Sequence, residues 1–199
     1  MVFVFAAVQL SRVALIRCLK WTFFFSISHL FLFVGVFAAP SYWMSYPAGA
    51  KALGFVYDAP RLVVIAMQGA GEGTTLMAEG YSPGAILGYH AGQYVPVFGV
   101  GSRYARQDDF QVDFREFDGR SIRVLLRRNR SESDFAPYFD NVKITPLSLE
   151  GRLYWVVEGT GFRFNAYREM VLMEIAKRFY QIPPLLPVFA CPFLEKYRL

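Results

Sequence analysis

The sequence predicts an α+β protein: one transmembrane helix followed by a small mixed-sheet domain with a β/α unit, two β-hairpins and a C-terminal helix. Three observations predict it. An apolar stretch without charge, Trp21–Ala39, follows a short basic segment. A strand-helix-strand pattern then occupies residues 61–99, and period-two alternation gives way to a helical pattern only after residue 164.

Composition narrows the class before any element is placed. Of 199 residues, 54% are hydrophobic, 18% aromatic and only 19% charged, which excludes a disordered or collagenous chain. The formal charge of +5 suggests an anionic partner, but Arg12, Arg17 and Lys20 supply most of it. Beyond residue 50, 18 basic and 16 acidic side chains are interspersed without a basic stripe, so nucleic acid is not an expected partner.

Residues 1–20 read as a basic cytoplasmic segment, whose apolar start VFVFAAVQL could be the stub of a preceding membrane helix. Residues 21–40 form the span, since about 20 apolar residues cross a bilayer core. The flanking cations orient its N-terminus to the cytoplasm and the remaining chain to the far side. A secretory leader cleaved near Val36-Phe37-Ala38 is the alternative. Trp21 and, beyond the span, Tyr42, Trp43 and Tyr46 suit the two interfaces, within a linker over 41–60. His29 inside the span reads as a neutral imidazole satisfied by a nearby carbonyl. Cys18 and Cys191 are expected on opposite sides of the membrane and unpaired.

The extracytoplasmic domain is expected over 61–182. Arg61–Met67 (RLVVIAM) is a continuous β-branched run and predicts a strand buried on both faces. Gly69, Gly71 and Gly73 form a loop, Thr74–Glu79 a second strand, and Ser82-Pro83 opens a helix ending at Gly92. Tyr94–Gly99 returns as a strand in parallel pairing. Phe110–Phe117 and Ile122–Leu126, joined at Asp118-Gly119, predict one hairpin; KITPLSL and RLYWVVE, joined at Glu150-Gly151, predict another with the Pro146 strand at an edge. The insert RRNRSESD is a loop containing the sequon Asn129-Arg130-Ser131. A helix over 165–180, capped by Asn165 and stopped by Pro183-Pro184, precedes a Pro-rich tail, 183–199, that packs on the domain or rests at the membrane.

Few residues carry recognisable chemistry. The loop GAGEG has the spacing G-x-G-x-G, not that of a dinucleotide or P-loop site, so a structural loop is expected. The candidate binding residues are Tyr81, His90, Arg103, Arg106, Asp108 and Asp109. The paired acids beside a guanidinium suit a cation or a sugar hydroxyl, although adjacent acids at a hairpin entry are expected to be solvated. His90 has no triad partners and reads as a helix C-terminal residue. No catalytic residue, metal site or cofactor is assigned.

The order of a short strand, GYSPGAILGYHAG, and YVPVFGVGSRYARQDDF resembles the C-terminal extracytoplasmic region of polytopic glycosyltransferases of the protein-mannosyltransferase and aminoarabinose-transferase type. Tyr81, Leu87, Tyr89, Gly99, Arg103, Tyr104, Gln107 and Asp108 occupy the comparable places. DGRSIRVLLRR and GRLYWVVEGTGFR are similar to the family's closing strands, so the likeness spans residues 74–163. It implies sugar transfer from a polyprenyl-phosphate donor at the outer face of a cell membrane, which is the inner membrane if the cell is Gram-negative. The family's catalytic acids lie on an early loop within a bundle of many helices. This stretch is therefore expected to be a fragment or accessory subunit, working on the bilayer with a polytopic partner. The alternative is a single-span anchored domain that binds a protein or envelope glycan.

Overall fold

The computed structural model describes residues 12–102, 107–181, 185 and 191–199, and the chain divides into two compact units, Met1–Gly54 and Phe55–Leu199.

In the first unit, α1 (Arg12–Ala38) is a single 27-residue helix with no buried residue. It is apolar all round, with Phe23, Phe24, Phe25, Phe31 and Phe33 exposed, a surface that water does not tolerate over such a length. This is the one helix among the described residues long and apolar enough to cross a membrane. It ends where Ala39, preceding Pro40, leaves the helical region at φ −134°. Pro40 then opens α2 (Pro40–Met44), where Trp43 Nε1 donates to Gly35 O at 3.1 Å and the Tyr42 and Tyr46 rings meet edge to face. His29 Nδ1 lies 2.9 Å from Phe25 O, so its backbone partner is intrahelical.

The stretch read as a linker, and the run read as a doubly buried strand, are both helical: α3 spans Pro47–Met67. From Phe55 onward the buried apolar positions are Phe55, Ala59, Leu62 and Ala66, a helical period that the β-branched residues of RLVVIAM obscure, while Val64 faces outward. Pro60 lies on the exposed side of the helix, as does Val56, whose carbonyl it deprives of a donor.

The second unit is built on a four-stranded mixed sheet of order β1-β2-β4-β3: β1 (Thr75–Ala78), β2 (Ile122–Leu126), β3 (Asn141–Leu149) and β4 (Arg152–Thr160). β1 and β2 are parallel, β2 and β4 antiparallel. The β3–β4 hairpin turns at Glu150 (φ 49°) and Gly151 (φ 78°), and Pro146 does lie on the edge strand. The other expected hairpin does not form. Its first arm is α5 (Asp108–Gln111) followed by a 3₁₀ turn at Phe114–Phe117, because the carbonyls of Asp109, Phe110 and Val112 are taken by Lys196 Nζ rather than by a neighbouring strand. The Tyr94–Gly99 strand reduces to a parallel bridge between Ala78 and Val97.

Both faces of the sheet are covered. Leu76, Ala78, Leu125, Tyr154 and Val156 pack with α3 from Phe55 on and with α4 (Tyr81–Ala91). Met77, Ile122, Val124, Leu126 and Val157 pack on the other side. There they meet α6 (Phe164–Tyr167), a π segment (Arg168–Leu172) and α7 (Met173–Phe179), together with α8 (Pro192–Tyr197). Gly80, extended, is the N-cap of α4, so Ser82 sits inside its first turn; Arg163 occupies the N-cap of α6 in place of Asn165. Part of the expected tail is thus the helix α8, whose Phe193 and Tyr197 are buried; Pro183 and Pro184 lie outside the described residues. Cys18 and Cys191 are free thiols.

α4 carries glycines at 84 and 88 because the chain returns directly across it. A Cβ on Gly84 would stand 2.8 Å from the Val95 carbonyl oxygen, and one on Gly88 2.9 Å from that of Gln93. Backbone cannot yield as a side-chain tip does. Gly84→Ala is expected to cost about 1–3 kcal/mol, read as a lower thermal midpoint of the full chain in micelles; an unchanged midpoint would show that α4 and residues 93–95 do not meet closely.

Candidate functional site

Three parallel segments end side by side at one edge of the second unit: the Val97 bridge, β1 and β2. From β1 the chain leaves through α4 to the Val97 side, whereas from β2 it leaves toward β3 at the far edge. Connections that diverge from adjacent carboxyl ends leave a crevice between them, the place where open α/β sheets bind ligands. A cavity of about 330 Å³ lies there, with Glu79, Phe98, Gly99, Arg130, Asp134 and Tyr138 among its lining. Glu79 follows β1, Phe98 and Gly99 follow the bridge, and the last three belong to the loop after β2.

The crevice wall is fixed from behind. Gly99, at φ 97°, adopts a conformation that a side chain would resist, and its N–H donates to the Tyr167 hydroxyl at 2.8 Å. Tyr167 is fully buried at the centre of rings from Phe98, Phe114, Tyr138 and Phe162, and burial pushes its phenol far up. At the mouth, Arg127 Nε donates to Glu79 Oε1 at 3.2 Å, while Glu79 Oε2 accepts no hydrogen bond among the described residues. The Tyr138 hydroxyl likewise has no hydrogen-bond partner among them; its phenol is pushed up by burial and then by the nearby Asp134 charge.

The expectation of solvated acids at 108 and 109 is overturned: both are buried. Asp108 Oδ2 accepts from Val97 N–H at 2.5 Å and Oδ1 from the Tyr94 hydroxyl, whose phenol is pushed up by burial and by donating to that carboxylate. Asp109 Oδ2 accepts from the Tyr180 hydroxyl at 2.6 Å. Tyr94 and Tyr180, 14 and 71 residues distant, each donate to one member of the pair. Asp108 is therefore a positioning residue that holds the Val97 segment, and with it the crevice rim. Asp108→Ala leaves the buried Val97 N–H without its acceptor, an expected cost of about 1–3 kcal/mol, and is expected to speed amide hydrogen exchange at residues 97–99 above that of β4. Exchange unchanged there would remove Asp108 from this role.

Of the other candidates, Tyr81 donates its hydroxyl to Gln107 Oε1 at 3.4 Å, beside the Asp108 clamp. His90 is exposed in the last turn of α4, before the left-handed Gly92, and its contact is the edge of the Tyr89 ring. Arg103 and Arg106 lie outside the described residues. No group of three or more His, Cys, Asp or Glu that could hold a metal occurs among the described residues.

One buried charge was not among the expected residues. Asp58, the first acid of the chain, accepts two hydrogen bonds from Arg152, both at 2.6 Å, and one from the Tyr154 hydroxyl at 2.7 Å. Glu150 joins Arg152 to Arg61 at the surface. Burial pushes Asp58 up, but the bonds from Arg152 and Tyr154 outweigh it, so the carboxyl titrates below its ordinary value. A lone acid between apolar residues of an otherwise uncharged stretch was the available signal.

No protein-family model, curated protein or solved structure matches the chain.

Proposed function

We propose that this chain is a membrane-anchored accessory or partial subunit of a glycosyltransferase that uses polyprenyl-phosphate-linked sugars. Its α+β domain lies on the extracytoplasmic side and shapes a substrate cavity, while a polytopic partner supplies the catalytic acids. The observation that carries this reading is the convergence of residues bearing the family resemblance. Tyr81 meets Gln107, and Asp108, beside Gln107, clamps Val97 two residues before Gly99. Tyr81, Gln107 and Asp108, motif residues up to 27 positions apart, thus adjoin one another beside the Val97 segment.

The chemistry supports a non-catalytic role for the domain by itself. Asp108 and Asp109 are engaged by tyrosines and by backbone, and a general base needs a lone pair facing the proton it takes. The one candidate span among the described residues does not by itself enclose a lipid-linked sugar and align it with a base. The exposed apolar helix α1, with cations at Arg12, Arg17 and Lys20, supports an anchor whose N-terminus is cytoplasmic.

An anchored glycan- or protein-binding domain without transferase ancestry is the second reading, favoured by the crevice itself, which requires no partner to exist. Membrane fractionation with protease added to intact spheroplasts tests what the two readings share. A C-terminal tag is expected in the membrane fraction and digested from outside. A tag released into the soluble fraction would indicate a cleaved leader in place of an anchor, and a protected tag would reverse the orientation.

A further inference from the structure

We infer that the crevice at the carboxyl ends of β1 and β2 binds an uncharged saccharide ring. The inference rests on the crevice alone: its polar groups, Glu79, Arg130, Asp134 and Tyr138, lie outside the Tyr81–Gln107–Asp108 cluster that supports the transferase reading.

Charge argues for a neutral ligand. Among the described residues, two carboxylates, Glu79 and Asp134, are matched in number by two guanidiniums, that of Arg127 paired with Glu79 and that of Arg130 in the lining. The sum over these residues gives no net attraction for an anion. A phosphate would in addition need backbone donors, and the N–H of Gly99, on the glycine-bearing turn at the rim, is committed to the Tyr167 hydroxyl.

Hydrogen bonding argues for hydroxyls. Glu79 Oε2 stands ready as an acceptor, and the Tyr138 hydroxyl, which both donates and accepts, has no partner within the described residues. Of two vicinal hydroxyls, one donates to the carboxylate oxygen while the other accepts from the phenol O–H. Shape argues for a ring. The Phe98 and Phe135 rings, with centroids 5.8 Å apart, and the aliphatic Val124 and Leu126 form an apolar base on which the C–H face of a pyranose can rest. A volume of about 330 Å³ is near the lower bound for ligand pockets and suits one or two sugar rings.

The test uses the full chain in phosphatidylcholine nanodiscs, since alkyl-glycoside detergents would compete. Saturation-transfer NMR and calorimetry are run with mannose, glucose, galactose, N-acetylglucosamine and their disaccharides, and with inorganic phosphate and glucuronate. At least one neutral sugar is expected to bind, with phosphate and glucuronate weaker. Glu79→Gln is expected to weaken that sugar about tenfold and Tyr138→Phe about fivefold, with near-UV circular dichroism unchanged. Preference for phosphate or glucuronate, no binding of any sugar by folded protein, or affinity indifferent to both folded variants would each overturn the inference. Should a variant fail to fold, protection of the Glu79 and Gly99 amides from hydrogen exchange by the bound sugar decides in its place. None of these outcomes depends on a lipid-linked donor or a polytopic partner, so they leave the transferase reading to its own assay.

Discussion

Arg152→Met is expected to destabilise the second unit by about 3–5 kcal/mol, because it strands the Asp58 carboxylate in a buried site with only the Tyr154 hydroxyl for a partner. In the native chain Asp58 titrates below the unfolded value of about 4. The stabilisation it provides is therefore complete above that value and is lost as pH falls through the lower folded value. Without Arg152, burial, the largest influence on Asp58, is opposed only by the Tyr154 hydroxyl and the Arg61 charge, and the folded value is expected to rise. The sign then reverses: the variant's stability falls as pH rises through the raised folded value, so its deficit is smallest in acid and largest at neutral pH. Urea unfolding from pH 3 to pH 8, in micelles of a neutral detergent, separates the two slopes. Adding Asp58→Leu is expected to restore much of the loss, as replacing both members of a buried pair is far milder than removing one. A variant that loses less than about 1 kcal/mol, with no change in pH slope, would show that the pair is solvated.

Phe193→Ala is expected to cost about 3–5 kcal/mol, a large share of the roughly 5–15 kcal/mol that holds a domain together. Phe193 is 1% exposed, stacks on Tyr180 at 4.8 Å and meets the edge of Tyr197 at 5.4 Å. Its loss does more than open a cavity. α8 brings Lys196 to three carbonyls of residues 109–112 and Tyr197 to Val112 O and Phe114 N–H, while Arg168 caps α8 through the carbonyls of Tyr197 and Arg198. Hydrogen exchange at residues 108–114 is therefore expected to accelerate together with exchange in α8. Wild-type stability in this variant would mean that α8 is not docked.

These two sites mark where local sequence stopped being informative. Ile122–Leu126, the β3–β4 hairpin and α4 were legible because each carries its own signal: alternation, a Glu-Gly turn, and Pro83 in the first helical turn with Gly92 at the close. RLVVIAM was not, since a short apolar run centred on three β-branched residues matches a buried strand equally well, and only Phe55 and Ala59 upstream disclose the helical period. Phe110–Phe117 alternates as a strand does, yet Phe110 is 54% exposed and the segment is shaped by Lys196 and Tyr197, more than 80 residues later. The site divides similarly. Asp108 was singled out by its sequence company, but its role follows from Tyr94 and Val97, and the crevice arises from strand order, which no local pattern records.

The central claim is that the chain serves transfer from a polyprenyl-phosphate sugar without performing it alone. Transfer of radiolabel from a panel of polyprenyl-phosphate hexoses and pentoses to endogenous acceptor, compared in native membranes with and without the chain, tests this most directly. Membranes lacking the chain are expected to lose transfer of one sugar and to regain it when the chain is supplied in trans, and the purified chain in nanodiscs is expected to transfer none. Undiminished transfer of every sugar in its absence would contradict the account, as would turnover by the purified chain.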